Sequence, residues 1–355
     1  MTKTIKIGTR GSQLALWQAN WVKSEIERIL NQLNTMSCSN SGINSNIDGL
    51  VSIPSIEIVK IKTTGDQITD RPLSMVGGKG LFVKEIEQQL LDKDIDIAVH
   101  SMKDMPADLP EGLTVGAIPV RANPFDVLIS KDNIPLSDLP AGSRIGTSSL
   151  RRASQIKSVR PDVVPVSIRG NLDTRLRKLD SGEYDAIILA AAGLIRLGMK
   201  EKISQYLDED IMVPAVGQGA LCVESRLVNA QSDNHDFMIS NIMAKLDDMN
   251  TRIPVEAERA FLRKMEGSCH IPVACFGKVE NIKKDAPHTA ENSWNLKGLN
   301  QLTLTGLVAS EDGTTIIKET LTCAAELSKA NAIGTELAEL ILQKGGREIL
   351  ENLKI

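Results

Sequence analysis

Short apolar runs alternate with helix-length segments through the first two thirds of this 355-residue chain, and that alternation narrows its fold more than any other feature. Residues 5 to 9 read as a strand. Ser12 then stands where it can cap a helix whose apolar residues Leu14, Trp17, Trp21, Ile26, Ile29 and Leu33 recur at helical spacing. A polar loop from Ser37 to Ser55, a strand at 56–62, a helix at 81–92 and a buried-looking strand at 95–99 follow. Further strands are predicted near 126–130, 144–147, 163–168 and 186–190, with helices starting near Leu150, Leu172 and Leu194. Repeated units of this kind build mostly parallel α/β sheets with helices on both faces. The character changes at Pro254. A helix at 255–265 precedes antiparallel-looking strands at 302–309 and 314–321, joined through Glu311-Asp312-Gly313-Thr314, a hairpin signal, and a helix follows at 325–343. The C-terminal part therefore reads as a separate α+β domain.

At roughly 150 residues per domain the length suits two to three domains. Apolar residues at 42% and charged residues at 24% are those of a globular protein and exclude a disordered or low-complexity chain. No membrane-spanning run is present, and Met1-Thr2-Lys3-Thr4-Ile5 leads into the first strand without a signal peptide's apolar stretch, so the expected location is the cytoplasm. The five cysteines (38, 222, 269, 275 and 323) are odd in number and scattered, and with four histidines they show no zinc-like spacing. Neither a disulfide framework nor a metal site is expected. Most thiols read as small buried hydrophobes. Cys269, in Gly267-Ser268-Cys269-His270-Ile271-Pro272, sits in a loop-like string, and the residues alone leave it open whether this thiol is structural or reactive.

In open parallel sheets ligands bind beyond the carboxyl ends of the strands. Here those positions share a chemistry: Thr9-Arg10-Gly11-Ser12, Ser101-Met102-Lys103-Asp104, Ser148-Ser149-Leu150-Arg151-Arg152 and Arg169-Gly170-Asn171. Hydroxyls, backbone amides and guanidinium groups at helix starts receive anions, so a ligand with several negative charges is expected. The net charge of −4 hides a segment from Arg144 to Lys178 with nine basic and two acidic residues, +7, inside a chain that carries −11 elsewhere. Within it Lys157, Arg160, Arg177 and Lys178 read as solvated helix faces. Arg10, Arg151, Arg152 and Arg169 read as binding residues. Nucleic acid is not the expected partner of an acidic chain with 3% aromatics. Asp104 stands among cations, either as a carboxylate that stabilises positive charge or moves a proton, or as a helix cap. Gly77-Gly78-Lys79-Gly80 lacks the spacing of a nucleotide-binding loop.

Eight strings in order, at residues 8–17, 64–66, 77–84, 96–104, 146–152, 169–171, 214–220 and 266–272, resemble the porphobilinogen deaminase family, also called hydroxymethylbilane synthases. The resemblance spans nearly the whole chain. It implies two α/β domains like type II periplasmic binding proteins (residues 1–119 with 220–237, and 120–219), an active site in the cleft between them, and an α+β domain at 242–355. It also implies a transferase that joins four porphobilinogen molecules head to tail, with loss of ammonia, into the linear tetrapyrrole hydroxymethylbilane. The implied primer is a dipyrromethane cofactor attached through Cys269, and Asp104 is the implied catalytic carboxylate. Lys79, Ser101, Lys103, Thr147, Ser148, Ser149, Arg151, Arg152, Arg169 and Gly170 match cofactor-binding positions. Arg10, Ser12, Arg169, Arg175, Arg196 and Gln218 match substrate-binding positions. Each substrate bears an acetate and a propionate, which accounts for the basic segment. A monomer with no nucleic-acid, membrane or metal partner is implied.

The chain departs from the family pattern at Met75 and Phe125, where basic residues are common, and at Ser268, where glycine is frequent. The segments 37–55 and 282–295 are longer than expected and read as polar surface insertions. A non-catalytic solute-binding protein of the same two-domain fold would explain the anion-binding strand ends but not Cys269, the third domain or the missing export signal. A transcription regulator's effector domain would need a helix-turn-helix ahead of it.

Overall fold

Ile5 and Ile7, completely buried on alternate positions of the first strand, begin a sheet whose order follows from which runs can be covered on both faces. The computed structural model describes residues 4–39, 53–67, 83–265, 271–281 and 300–353. The glycine-loop residues 77–80 with Lys79, as well as Met75, Ser268, Cys269 and the segment 282–295, lie outside the described residues. The first stretch of chain forms β1 (Ile5–Arg10), α1 (Gln13–Ser39), β2 (Ile56–Ile61), α2 (Lys84–Leu91), β3 (Ile97–Ser101) and β4 (Leu113–Ala117). Next come β5 (Asp126–Ser130), β6 (Arg144–Gly146), α3 (Leu150–Val159), β7 (Val164–Val166), α4 (Leu172–Asp180), β8 (Ala186–Ala190), α5 (Ala191–Arg196) and β9 (Gln205–Leu207). The chain continues through β10 (Leu221–Arg226) and α6 (Asn234–Leu246). It finishes with α7 (Met249–Lys264), β11 (Val273–Asn281), β12 (Asn300–Ala309), β13 (Ile316–Ala324) and α8 (Leu327–Ile341).

Two compact units emerge, Met1–Val120 with Leu221–Asp248, and Arg121–Ala220 with Met249–Ile355. The first holds the sheet β2-β1-β3-β10-β4; the second holds β7-β6-β8-β5-β9 and the antiparallel β11-β12-β13. In each five-stranded sheet the fourth strand, β10 or β5, runs antiparallel to both neighbours while the other four are mutually parallel. That odd strand is in each case the first one after the chain has passed from one unit to the other. It arrives without a crossover helix, so nothing obliges it to run parallel. The expected mostly parallel α/β sheets with a C-terminal α+β part are therefore what the chain forms.

In the first unit α1 and α6 cover one sheet face with Ala19, Val22, Ile26, Ile239 and Met243 against Ile97, Val99 and Val223. Ile86 and Leu90 of α2 cover the other face with Ala98. The C-terminal sheet packs its inner face against α7 and α8 through Phe261, Leu304, Leu337 and Ile341. Gly334 permits that packing, because a Cβ there would overlap the Ala257 carbonyl of α7. No helix among the described residues is long and apolar enough to cross a membrane.

Several boundaries differ from expectation. Helix α1 runs on to Ser39, into the segment read as loop. Strand β3 begins at Ile97 and includes Ser101, while Asp96 before it binds Lys6 of β1 twice: its amide donates to the Lys6 carbonyl at 2.9 Å and its carboxylate accepts the Lys6 amide at 2.8 Å. Helix α5 starts at Ala191, and α7 starts before Pro254, which lies inside it because Ile253, Val255 and Ala257 all find buried places. Helix α6 carried no expectation, although Asp233 caps it by accepting from the amides of His235 and Asp236 at 3.0 and 2.9 Å.

Candidate active site

The polar strand ends fall into two groups, one in each unit. In the first unit Ser12 caps α1, its Oγ accepting the Ala15 amide at 3.3 Å, directly after Arg10 at the end of β1. Ser101 closes β3, and its Oγ accepts a hydrogen bond from Gln18 Nε2 of α1 at 2.9 Å. A single 3₁₀ turn, Met102–Asp104, follows, closed by the Met105 amide on the Met102 carbonyl at 3.1 Å. Met102 and Met105 are buried, which leaves Lys103 half-buried and turns Asp104 out to solvent. Asp104 ends this turn and begins no helix, so the capping reading fails and an exposed carboxylate remains.

In the second unit the loops after β6 and β7 are stitched together. Ser148 Oγ donates to the Ile168 carbonyl at 2.6 Å, accepts the Ile168 amide at 3.1 Å and lies 2.9 Å from Ser167 Oγ. Thr147 is buried, with its amide on the Val166 carbonyl at 2.8 Å and its Oγ1 accepting the Ser149 amide at 3.2 Å. Ser149 caps α3 through its main chain, the carbonyl accepting from Arg152 and Ala153.

Arg151 and Arg152 stand in the first turn of α3. Both are buried on one carboxylate: Arg151 Nη1 donates to Asp126 Oδ2 at 2.7 Å and Arg152 Nε to Asp126 Oδ1 at 2.8 Å. Asp126 is completely buried. The backbone carbonyls of Val213 and Ile188 take further bonds at 2.9 and 3.1 Å. Sequence reasoning missed Asp126 in this role; the available signal was an acid at the first position of an otherwise apolar strand. Arg152's guanidinium is held below its ordinary range, chiefly by burial and also by Arg151, with Asp126 opposing. Arg175 of α4 is lowered by burial and by Arg152's charge, and donates from Nε to the Gly170 carbonyl at 2.8 Å. Gly170, at φ +109°, lies in the left-handed region, and a side chain there would press on Thr174. Arg169 precedes it, half-buried.

The two remaining candidates lie at the passage near 217–220. Arg196, lowered to about 10 by burial, donates to the Gly219 carbonyl at 2.8 Å. Gln218 is buried, with Nε2 on the Pro124 carbonyl at 2.7 Å and an unpartnered Oε1. Nearby Phe125 fills the place of a basic residue by packing on Phe276, ring centroids 6.0 Å apart. Arg160, read as solvated surface, instead pairs with Asp162 at 2.7 Å and donates to the Leu136, Ser137 and Leu139 carbonyls. Among the described residues no cluster of His, Cys, Asp or Glu could hold a metal.

Around the start of α3 positive charge is thus in surplus: Arg151 and Arg152 share the one buried Asp126, and Arg152's charge acts on Arg175. Replacing Asp126 by Asn is expected to cost about 3–5 kcal/mol, because two buried guanidiniums lose their counter-charge. Urea unfolding checks this; a loss below about 1 kcal/mol would show that the pair does not depend on Asp126.

Comparison with known proteins adds the following. The family model "Porphobilinogen deaminase, dipyromethane cofactor binding domain" matches residues 5–253, and "Porphobilinogen deaminase, C-terminal domain" matches residues 253–343. A porphobilinogen deaminase of Geotalea uraniireducens is 46% identical over 351 residues, 98% of this chain and 94% of the relative. Those of Brevibacillus brevis and Syntrophotalea carbinolica are 45% and 44% identical, covering 97% and 100% of this chain and 96% and 97% of theirs. A solved TRAP periplasmic solute binding protein from Desulfovibrio salexigens covers 70% of this chain and 73% of its own at 12% identity and a TM-score of 0.38. Two family models that divide the chain between them and near full-length relatives place this chain in the porphobilinogen deaminase family.

Proposed function

We propose that this chain is a hydroxymethylbilane synthase that joins four porphobilinogen molecules head to tail on a dipyrromethane bound through Cys269, with Asp104 as its catalytic carboxylate. The observation that carries the reading beyond family membership is the surplus of guanidinium groups around α3, which suits an anionic ligand. The donor set fits the cofactor's carboxylates: the Thr147 and Ser149 hydroxyls and the Ser148 amide supply hydrogen bonds, and Arg152 and Arg169 supply charge, beside the N-terminal end of α3. Lys79, Ser101, Lys103, Arg151 and Gly170 belong to the same cofactor set. Arg10, Ser12, Arg169, Arg175, Arg196 and Gln218 are assigned to substrate.

The dipyrromethane supplies the pyrrole carbon to which the first substrate is joined. Asp104, exposed and carried on a short 3₁₀ turn, accepts a hydrogen bond from the substrate's pyrrole N–H and stabilises the cationic azafulvene left as ammonia departs. The buried or half-buried arginines fix the acidic side chains and so orient the reacting ring. A three-domain division at 1–119 with 220–237, 120–219 and 242–355, a cytoplasmic location and a monomeric state belong to the same proposal.

Ehrlich's reagent on protein purified from a host that makes porphobilinogen tests it: a coloured protein is expected, and a colourless one would favour a solute-binding role. Arg175→Ala is expected to raise KM for porphobilinogen about 10- to 100-fold, as one charged hydrogen bond of about 1.5–3 kcal/mol is lost. Arg177, exposed on the same helix with Nη2 on Thr174 Oγ1 at 3.2 Å, serves as the control, and equal KM values for Arg175→Ala and Arg177→Ala would remove Arg175 from the site.

A further inference from the structure

Behind the turn that bears Asp104 lies a buried group of ionisable side chains with no part in the chemistry above. Residues of β3 alternate between faces, so Ser101 meets α1 while His100 meets α2. On the α2 side His100 and Glu224 lie diagonally across the β3–β10 ladder, where Cys222 pairs with His100 and Glu224 with Ala98. His100 Nε2 is 3.0 Å from Glu224 Oε2, and Glu224 is completely buried. Glu87 of α2 is also buried, and the charges of Glu224 and His100 act on it. One oxygen on each acid, Glu87 Oε1 and Glu224 Oε1, is buried without a hydrogen-bond partner.

Among the described residues, other groups on the packed elements offer little compensation. Glu85 is turned to Thr64, whose amide it accepts at 2.8 Å. Arg226 of β10 is taken up by Asp96 and Asp236 at 3.2 and 2.8 Å and by the Leu90 and Ile95 carbonyls. Cys222 is a buried thiol, β4 has no ionisable side chain, and Lys84 is exposed at the start of α2. With all three groups charged, the buried set carries a net negative charge and only acceptors at its two orphan oxygens. One proton on Glu87 removes one of those negative charges and supplies a donor. Consistent with this, burial first and Glu224's charge second push the Glu87 carboxyl up to about 7, against smaller effects of His100 and Lys84.

We propose that Glu87 keeps a proton at neutral pH and that Glu87, Glu224 and His100 together act as positioning residues, holding the end of β3 from which the Asp104 turn is launched. The role of the turn rests on the function proposed above; the protonation does not. Native Glu87 binds its proton more tightly than unfolded Glu87, whose ordinary value is 4.5, so its contribution to stability is complete at low pH. That contribution falls as pH rises through the interval up to about 7 and is then exhausted. Positioning is lost only when the folded protein itself deprotonates, above about 7.

The test compares holoprotein with its Glu87→Gln variant, in which an amide stands in for the protonated acid. The melting temperature of the variant is expected to gain on wild type as pH rises from about 5 to about 7, and the gap then to level off. The kcat/KM of wild type is expected to fall about tenfold per pH unit above about 7, a limb that the variant lacks. If the variant does not fold, wild type alone decides: infrared difference spectra should show a protonated carboxyl at about pH 6 that is gone by about pH 8. Parallel melting curves, coincident pH–rate profiles or the absence of that carboxyl band would overturn the proposal. Melting and infrared measurements need no substrate, so failure of the proposed activity is distinguishable from failure of this one.

Discussion

Asp104→Ala is expected to lower kcat by about 10²–10³-fold, the usual effect of removing one group that stabilises transition-state charge, with little change in KM. Stability is expected to stay within about 0.5 kcal/mol, because the exposed side chain makes no contribution to the core, and Met102 and Met105 keep the turn in place. Asp104→Asn separates charge from shape. It retains an acceptor for a pyrrole N–H but not the negative charge opposite a cation, so its rate should lie near that of the alanine variant. Steady-state kinetics on variants with confirmed cofactor content check this, and a near-wild-type kcat in either would remove Asp104 from the chemistry.

Cys269→Ser is expected to abolish covalent cofactor and with it all turnover. A serine hydroxyl is a far weaker nucleophile than a thiolate, and no thioether can form. Intact-protein mass spectrometry should show the two-pyrrole increment in wild type and none in the variant. The other described thiols are poor substitutes: burial and the nearby Glu258 push Cys275 well up, and burial also raises Cys323. Cys275→Ser therefore serves as a control that keeps the increment. An increment that survives Cys269→Ser would place the attachment elsewhere and undo the assignment.

Much of the fold could be read from periodicity, because an apolar strand covered on both faces and an amphipathic helix each leave a local record. The Asp104 turn was also visible, since Ser101-Met102-Lys103-Asp104 follows such a strand directly. Strand β10 was not read, because Glu224 and Ser225 interrupt its apolar pattern and are buried by partners distant in the chain. The same limit affected the basic segment. Arg160 looked like solvated surface until the loop carbonyls of residues 136–139 were brought to it.

Composition, strand-end motifs and family resemblance by themselves determined the class of sheet, the expectation of a polyanionic ligand and the choice of Asp104 and Cys269. Only the tertiary structure decided what the charges do. It buries Arg151 and Arg152 on Asp126, 25 and 26 residues away in sequence, and sets His100 against Glu224, 124 residues away. The physical reason is that local pattern reports which surface a residue prefers. The energy of a buried charge, in contrast, depends on which partner the topology brings within hydrogen-bonding distance.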